Sequence, residues 1–142
     1  QSKKLPFYSN FFANLCFDET VSFSHANFLL QTIDRLSYRQ LVILAFLSDE
    51  KQINSGRWDA QFKVASVELS RYYDFYSEYT DLYNLRLITQ CGSMPGFSLG
   101  MSNTKISSVG SRIVSLLNLN GVPEEDMIEI KNTIDAIYNL IA

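Results

Sequence analysis

Apolar positions recur at three- and four-residue steps over most of the chain, and the longest such stretch runs from Ser66 to Ile88. There Leu69, Tyr72, Tyr76, Tyr79, Tyr83 and Leu87 form one stripe at 100° per residue, with Phe75 and Leu82 widening it. Arg71, Asp74, Glu78, Asp81 and Arg86 share the opposite face, so the pattern predicts a long amphipathic helix with a solvated back. Ahead of it, Pro6 suits the first turn of a helix in which Phe7, Phe11, Phe12, Leu15 and Cys16 build an apolar face up to about Phe17. Asp18-Glu19-Thr20 reads as a turn, and Ser22 or Ser24 can cap a second helix containing Phe28, Leu29, Ile33 and Leu36. Ser37-Tyr38-Arg39-Gln40 is a capping box, and Leu41 to Leu47 after it is apolar on every side. Such a helix must be enclosed by its neighbours, which makes it the predicted core helix.

Ser48 to Gly56 is polar, and Trp58 to Phe62 fits a short helix or a loop, with Trp58 plugging the core edge or stacking on a ligand. Ile88 to Cys91 and Thr104 to Ile106 read as two short strands around the turn residues of Gly92 to Asn103, a β-hairpin with a long tip. Ser107 or Ser108 then caps a helix holding Ile113, Val114, Leu116, Leu117 and Leu119, ended by Asn120-Gly121. The last helix has Pro123 near its start and Glu124, Glu125 and Asp126 where the macrodipole favours negative charge. Met127, Ile130, Ile134, Ile137 and Ile141 run down one face, while Ile128, Tyr138 and Leu140 lie off it. That surplus makes the stripe a candidate interaction surface, the simplest partner being a second copy of the chain; the alternative is that it completes the chain's own core. The fold class is mainly α: a helical bundle with a small β-hairpin in a single domain, divided into a helical part (1–63), a second part (64–119) and a C-terminal helix (123–142).

Composition narrows the function. A chain of 142 residues, 46% hydrophobic and 13% aromatic, can bury a real core, and no apolar run is long enough to span a bilayer. Cys16 and Cys91 form no disulfide framework, although a single bridge stays open, so the expected setting is intracellular and cytoplasmic, with no membrane contact from this segment. Gln1 is not an initiator methionine, which suggests a piece of a longer protein. Residues 1–63 carry seven basic and six acidic side chains, and residues 64–142 carry five and nine, or +1 and −4. The acidic excess therefore lies in the second half.

No phosphate loop, zinc ligand set or nucleophile motif is present, and no cofactor or metal is expected. The only histidine, His25, lacks a partner and reads as a surface or boundary residue rather than a catalytic base. Glu124-Glu125-Asp126 is explained by the helix dipole before any hard metal. The tyrosines from Tyr72 to Tyr83 invite a base-stacking reading, but stacking platforms are backed by cations, and residues 66–88 hold four acids against two arginines. Packing explains them better.

The order core helix, long helix ending Asp81-Leu82-Tyr83-Asn84-Leu85-Arg86-Leu87-Ile88, hairpin, then Ile106-Ser107-Ser108-Val109-Gly110-Ser111-Arg112-Ile113-Val114 resembles the second half of a winged-helix domain. In that fold the third helix closes on L-x-x-L-x-L-I, the wing follows, and L-T-x-x-G-x-x-[LF] opens the next helix; Ser107 replaces the threonine here. Phe11-Phe12-Ala13-Asn14-Leu15, His25-Ala26-Asn27-Phe28 and Ile33-Asp34-Arg35-Leu36-Ser37 resemble, in order, phrases of the abortive-infection alpha family. That resemblance implies a helical N-terminal part, a winged-helix-like C-terminal part and an association with phage defence, with no catalytic residues to carry over. A DNA-reading winged helix carries basic side chains on its third helix, whereas the exposed face here offers Asp74, Glu78 and Asp81.

The function expected from sequence is accordingly a non-enzymatic protein-interaction or scaffolding module with a protein partner or a second copy. The alternatives are a winged-helix transcriptional regulator touching DNA through Arg71 and Lys105, and a small-molecule sensor or hydrolase with a pocket behind the tyrosines.

Overall fold

The computed structural model describes residues 2–49, 61–62, 72–90, 99–100 and 104–141. Through these residues run six α-helices: α1 (Leu5–Phe17), α2 (Phe23–Arg35), α3 (Tyr38–Ser48), α4 (Tyr73–Asn84), α5 (Ser108–Leu117) and α6 (Glu124–Ile141). Four short strands, β1 (Gln61–Phe62), β2 (Ile88–Gln90), β3 (Leu99–Gly100) and β4 (Thr104–Ile106), and 3-10 turns at Ser2–Lys4 and Leu119–Gly121 complete the order.

The core is built around α3, as its unbroken apolar run predicts. Every residue from Leu41 to Leu47 is buried, and α4, α5, α6 and the Leu119–Gly121 turn pack around it. Its capping box forms in full: the Gln40 amide N–H donates to Ser37 Oγ at 3.1 Å, and the Ser37 N–H donates to Gln40 Oε1 at 2.9 Å. Gln40 also reaches sideways, its Nε2 donating to the Glu78 carbonyl on α4 at 3.2 Å. One side chain thus starts the core helix and ties it to the next.

The long helix is shorter than its periodicity suggests. Residues 66–71 lie outside the described residues, and at the other end α4 stops at Asn84 rather than continuing to Ile88. Leu85 is the C-cap and Arg86 turns into the left-handed region at φ 60°, while the Leu87 N–H returns to the Leu82 carbonyl at 3.0 Å and the Arg86 N–H to the Tyr83 carbonyl at 2.9 Å. This is a Schellman closure, and the buried pair Leu82 and Leu87 supplies its apolar contact. Leu87 reads as helical because that closure brings it back over Leu82. The buried centre of α4 is Phe75, Tyr79 and Leu82, with Tyr72 and Tyr76 half-buried and Tyr83 exposed.

β2 and β4 pair antiparallel as the predicted hairpin, with Ile88 opposite Ile106 and Gln90 opposite Thr104. A second ladder goes beyond what the sequence pattern predicts: β1 pairs with β3, Gln61 opposite Gly100 and Phe62 opposite Leu99. The stretch read as helix or loop therefore contributes a strand at Gln61–Phe62, and Leu99–Gly100 in the hairpin's tip is its partner. Trp58, Cys91 and the remainder of the tip lie outside the described residues.

Ser107 caps α5, its Oγ accepting the Gly110 N–H at 3.0 Å. Gly110 is a glycine for a steric reason, since a Cβ there would stand 2.1 Å from the Leu87 carbonyl oxygen, which itself accepts the Ser107 N–H at 2.9 Å. Helix α5 ends at Leu117, earlier than predicted: Asn118 adopts φ 52°, and Leu119 belongs to the 3-10 turn that follows. On α6, Ile130, Ile134 and Ile137 are buried and the helix packs along α3.

Candidate functional site

Two features of the described surface are not explained by the core. The first is a cleft of about 660 Å³ where the beginnings of α1, α3 and α6 meet the turn after α5. Tyr38 forms its back wall, placed there as the first residue of α3 after the Ser37 cap. The Tyr38 hydroxyl donates to Asp126 Oδ2 at 2.5 Å, and the ring lies 6.2 Å from that of Phe7 at 30°. Burial, then the hydrogen bond to Asp126, then the charges of Asp126 and Glu125 push the Tyr38 phenol well above its ordinary range, so it stays a proton donor. The Lys3 ammonium stands over the same ring, 5.3 Å from its centre. Asn10, Asn118, Asn120 and Glu125 complete the polar lining.

Next to Lys3 in the chain, α1 is tied to the end of α2. Lys4, only 4% exposed, donates through Nζ to the Ile33 carbonyl at 2.9 Å and the Leu36 carbonyl at 2.6 Å, satisfying the last carbonyls of α2. Its ammonium also lies 5.2 Å from the Tyr8 ring centre, and Tyr8 donates to Asp34. Burial lowers the Lys4 ammonium from its ordinary value, with Asp34 opposing. Burial and the Asp34 hydrogen bond raise the Tyr8 phenol to about 12.

The second feature is aromatic exposure on the first two helices. Phe17 is 88% and Phe23 84% exposed, one at each side of the turn formed by residues 18–22, and Leu5, Phe12 and Phe28 are also open to solvent. Leu5, Phe12 and Cys16 recur at seven and four residues, so they share one outward face of α1. The sequence places Phe12, Cys16 and Phe28 on buried faces; α1 and α2 bury Phe7, Phe11, Leu29 and Ile33 and leave those three outside.

The other sequence-derived candidates are dispersed. The backbone N–H of His25 donates to Ser22 Oγ at 3.1 Å, and its ring stacks on Phe28 at 5.9 Å, a boundary position. Lys105 is exposed on β4, and Arg71 lies outside the described residues. Of the stripe offered as an interaction surface, Ile130, Ile134 and Ile137 are 0–3% exposed, and Met127 is partly buried against the core. Those residues complete the chain's own core, because the all-apolar surface of α3 is their nearest neighbour; the Ile141 side chain lies outside the described residues. Of the supposed solvated face of α4, Asp74 and Asp81 are exposed, but Glu78 pairs with Arg39 Nε at 3.2 Å. Burial raises the Glu78 carboxyl, and the Arg39 charge opposes it. Among the described residues, no group of three His, Cys, Asp or Glu side chains is placed to hold a metal, and no helix is long and apolar enough to cross a membrane.

Sequence reasoning missed Lys3, Lys4 and Tyr38. A signal existed for one of them: Lys4, Phe7, Tyr8 and Phe11 share one face at helical steps, which places the lysine on a buried stripe. No family model matches the chain, and no curated protein or solved structure matches it.

Proposed function

We propose that this chain is a non-enzymatic protein-interaction module that docks a partner through the aromatic outer face of α1 and α2. The observation that carries this reading is the distribution of surplus apolar surface. Of eight large hydrophobic side chains exposed among the described residues, five (Leu5, Phe12, Phe17, Phe23 and Phe28) fall between residues 5 and 28, while the other three, Tyr73 and Tyr83 on α4 and Ile128 on α6, are spread over two helices. Large aromatics at 84–88% exposure bury little area in the fold and are the residue type that anchors interfaces. The second half, read from its sequence as winged-helix-like, packs α4, α5 and α6 around α3. Its outward side chains on α4, Asp74 and Asp81, disfavour the duplex-binding alternative.

The test is co-purification from native cells of the full-length protein, unaltered or carrying Phe17→Ser with Phe23→Ser. A specific partner lost from the double variant, with the melting temperature unchanged, is the expected result. An identical set of bound proteins in both samples refutes docking through this face.

A further inference from the structure

We propose that the Tyr38 cleft is a binding site for a primary alkylammonium group, and that Lys3 occupies it in cis in the free chain. This inference stands apart from docking through the aromatic face, since none of the exposed residues of that face is needed for it. The starting observation is the position of Lys3. Its Nζ lies 5.3 Å from the Tyr38 ring centre, inside the range of about 6 Å over which an aromatic face attracts a cation. No carboxylate of the described residues lies within ion-pair distance of it, whereas Arg39, outside the cleft, pairs with Glu78 and Glu129. An ammonium has thus been placed on the ring rather than on an acid.

The surroundings suit a cation that is not tethered. Glu125 and Asp126 line the same cleft as Lys3, so its lining carries two negative side chains and one positive, a net charge that favours a further cation. Asp126 is held in place because Oδ2 accepts the Tyr38 hydroxyl, which leaves Oδ1 and further lone pairs for another donor. Acids in the first turn of α6 are accounted for by the helix dipole and do not by themselves make a site. What the dipole does not account for is a cleft of about 660 Å³ with an aromatic back wall of Tyr38 and Phe7, a volume in the range of small-molecule sites and far larger than a single ammonium fills. Lys3 shows which chemistry that wall accepts. Because it is tethered, Lys3 also competes with any incoming amine, and the apparent affinity of the free chain is reduced by the fraction of time Lys3 is in place.

The ammonium could come from a free diamine or from a lysine in a peptide, and two probes separate these sources. Cadaverine and Nα-acetyl-lysine methylamide are titrated into the ¹⁵N-labelled chain, with the Nε-acetylated form of the second probe as a charge-free control. The amides of Tyr38, Gly121 and Asp126 are expected to shift with a dissociation constant of roughly millimolar size. Lys3→Met, at an exposed position, should tighten binding by about tenfold by removing the internal competitor, and Asp126→Asn or Glu125→Gln in that background should weaken it by a similar factor. The probe that binds more tightly identifies the source. The proposal is overturned if neither probe moves these amides in either protein up to roughly 20 mM, if Lys3→Met binds no better than the unaltered chain, or if the acetylated control binds equally well.

Discussion

The first two helices and the last one divide the chain's apolar residues in opposite ways. Helix α6 has more apolar positions than one packing face requires, yet Ile130, Ile134 and Ile137 are all buried, with Ile128 half-exposed beside them. The pair α1 and α2 has a stripe of ordinary width, yet Leu5, Phe12, Phe17, Phe23 and Phe28 remain outside. The neighbour makes the difference. Helix α6 lies along α3, which is apolar all round and offers cover wherever α6 faces it. Helix α1 packs mainly on α5, where Asn10 and Asn14 donate to the Leu117 and Leu116 carbonyls at 2.9 and 2.7 Å, and it meets the end of α2 through Lys4 and Tyr8. Polar ties of this kind hold helices without covering their aromatic residues.

If that contrast is right, the largest effect comes from the covered side. Ile134→Ala removes a side chain with no exposed surface and should cost about 2–5 kcal/mol in a urea melt. A cost under about 1 kcal/mol would mean that α6 is not seated on α3 and that its stripe is free after all.

The polar tie of α1 to α2 should matter less. Lys4→Met removes the donor to the Leu36 carbonyl and one of the two donors to the Ile33 carbonyl, which keeps the Leu36 N–H at 3.1 Å, at an expected cost of about 1–3 kcal/mol, partly offset because burying the ammonium is itself unfavourable. Hydrogen exchange locates the effect: amides at the end of α2 should lose protection while those of α3 keep theirs. Equal loss in both helices would show that the tie is part of the core.

The same region should also respond to alkaline pH. The Tyr8 phenol is raised from 10.0 to about 12 by burial and by its hydrogen bond to Asp34, so this contribution is fully present below about pH 10 and is lost as pH rises toward 12. Lys4 runs the other way. Its folded value is lowered from 10.5 by burial, so the cost of burying its charge fades as pH rises through that lowered value. Stability should therefore hold or rise slightly up to about pH 10 and fall beyond it, and Tyr8→Phe should shallow the fall. Superimposable profiles for the two proteins would exclude Tyr8 as the titrating contact.

The sequence made α3 legible because an apolar run behind a capping box has one physical solution, and the hairpin because β2 and β4 are bounded by turn residues. Gly110 stands in the Ser107-Ser108-Val109-Gly110 stretch that opens α5, and its physical reason is a close approach to the Leu87 carbonyl. The end of α4 was not legible, since a Schellman closure keeps Leu87 on the helix's apolar side, and Arg86 at φ 60° replaces the glycine that would have announced it. The cleft was illegible for a different reason. Lys3, Tyr38 and Asp126 are separated by 35 and 88 positions and carry no motif, so only packing of α1 and α6 on α3 brings them together.

The smallest expected effect on stability is the one that separates exposure from structure. Phe17 ends α1 and Phe23 begins α2, and at 88% and 84% exposure neither buries enough area for its removal to open a cavity or strip away much transfer free energy. Serine is also tolerated at both positions, since the Ser22 cap of α2 and the turn between the helices do not use either ring. Phe17→Ser with Phe23→Ser should therefore change unfolding free energy by less than about 0.5 kcal/mol, against the several expected for Ile134→Ala. A loss above about 1 kcal/mol would show that these rings are packed in solution, so that the contrast between the two ends of the chain fails. A null effect on stability, combined with loss of a bound partner, would leave association as the property these two aromatics serve.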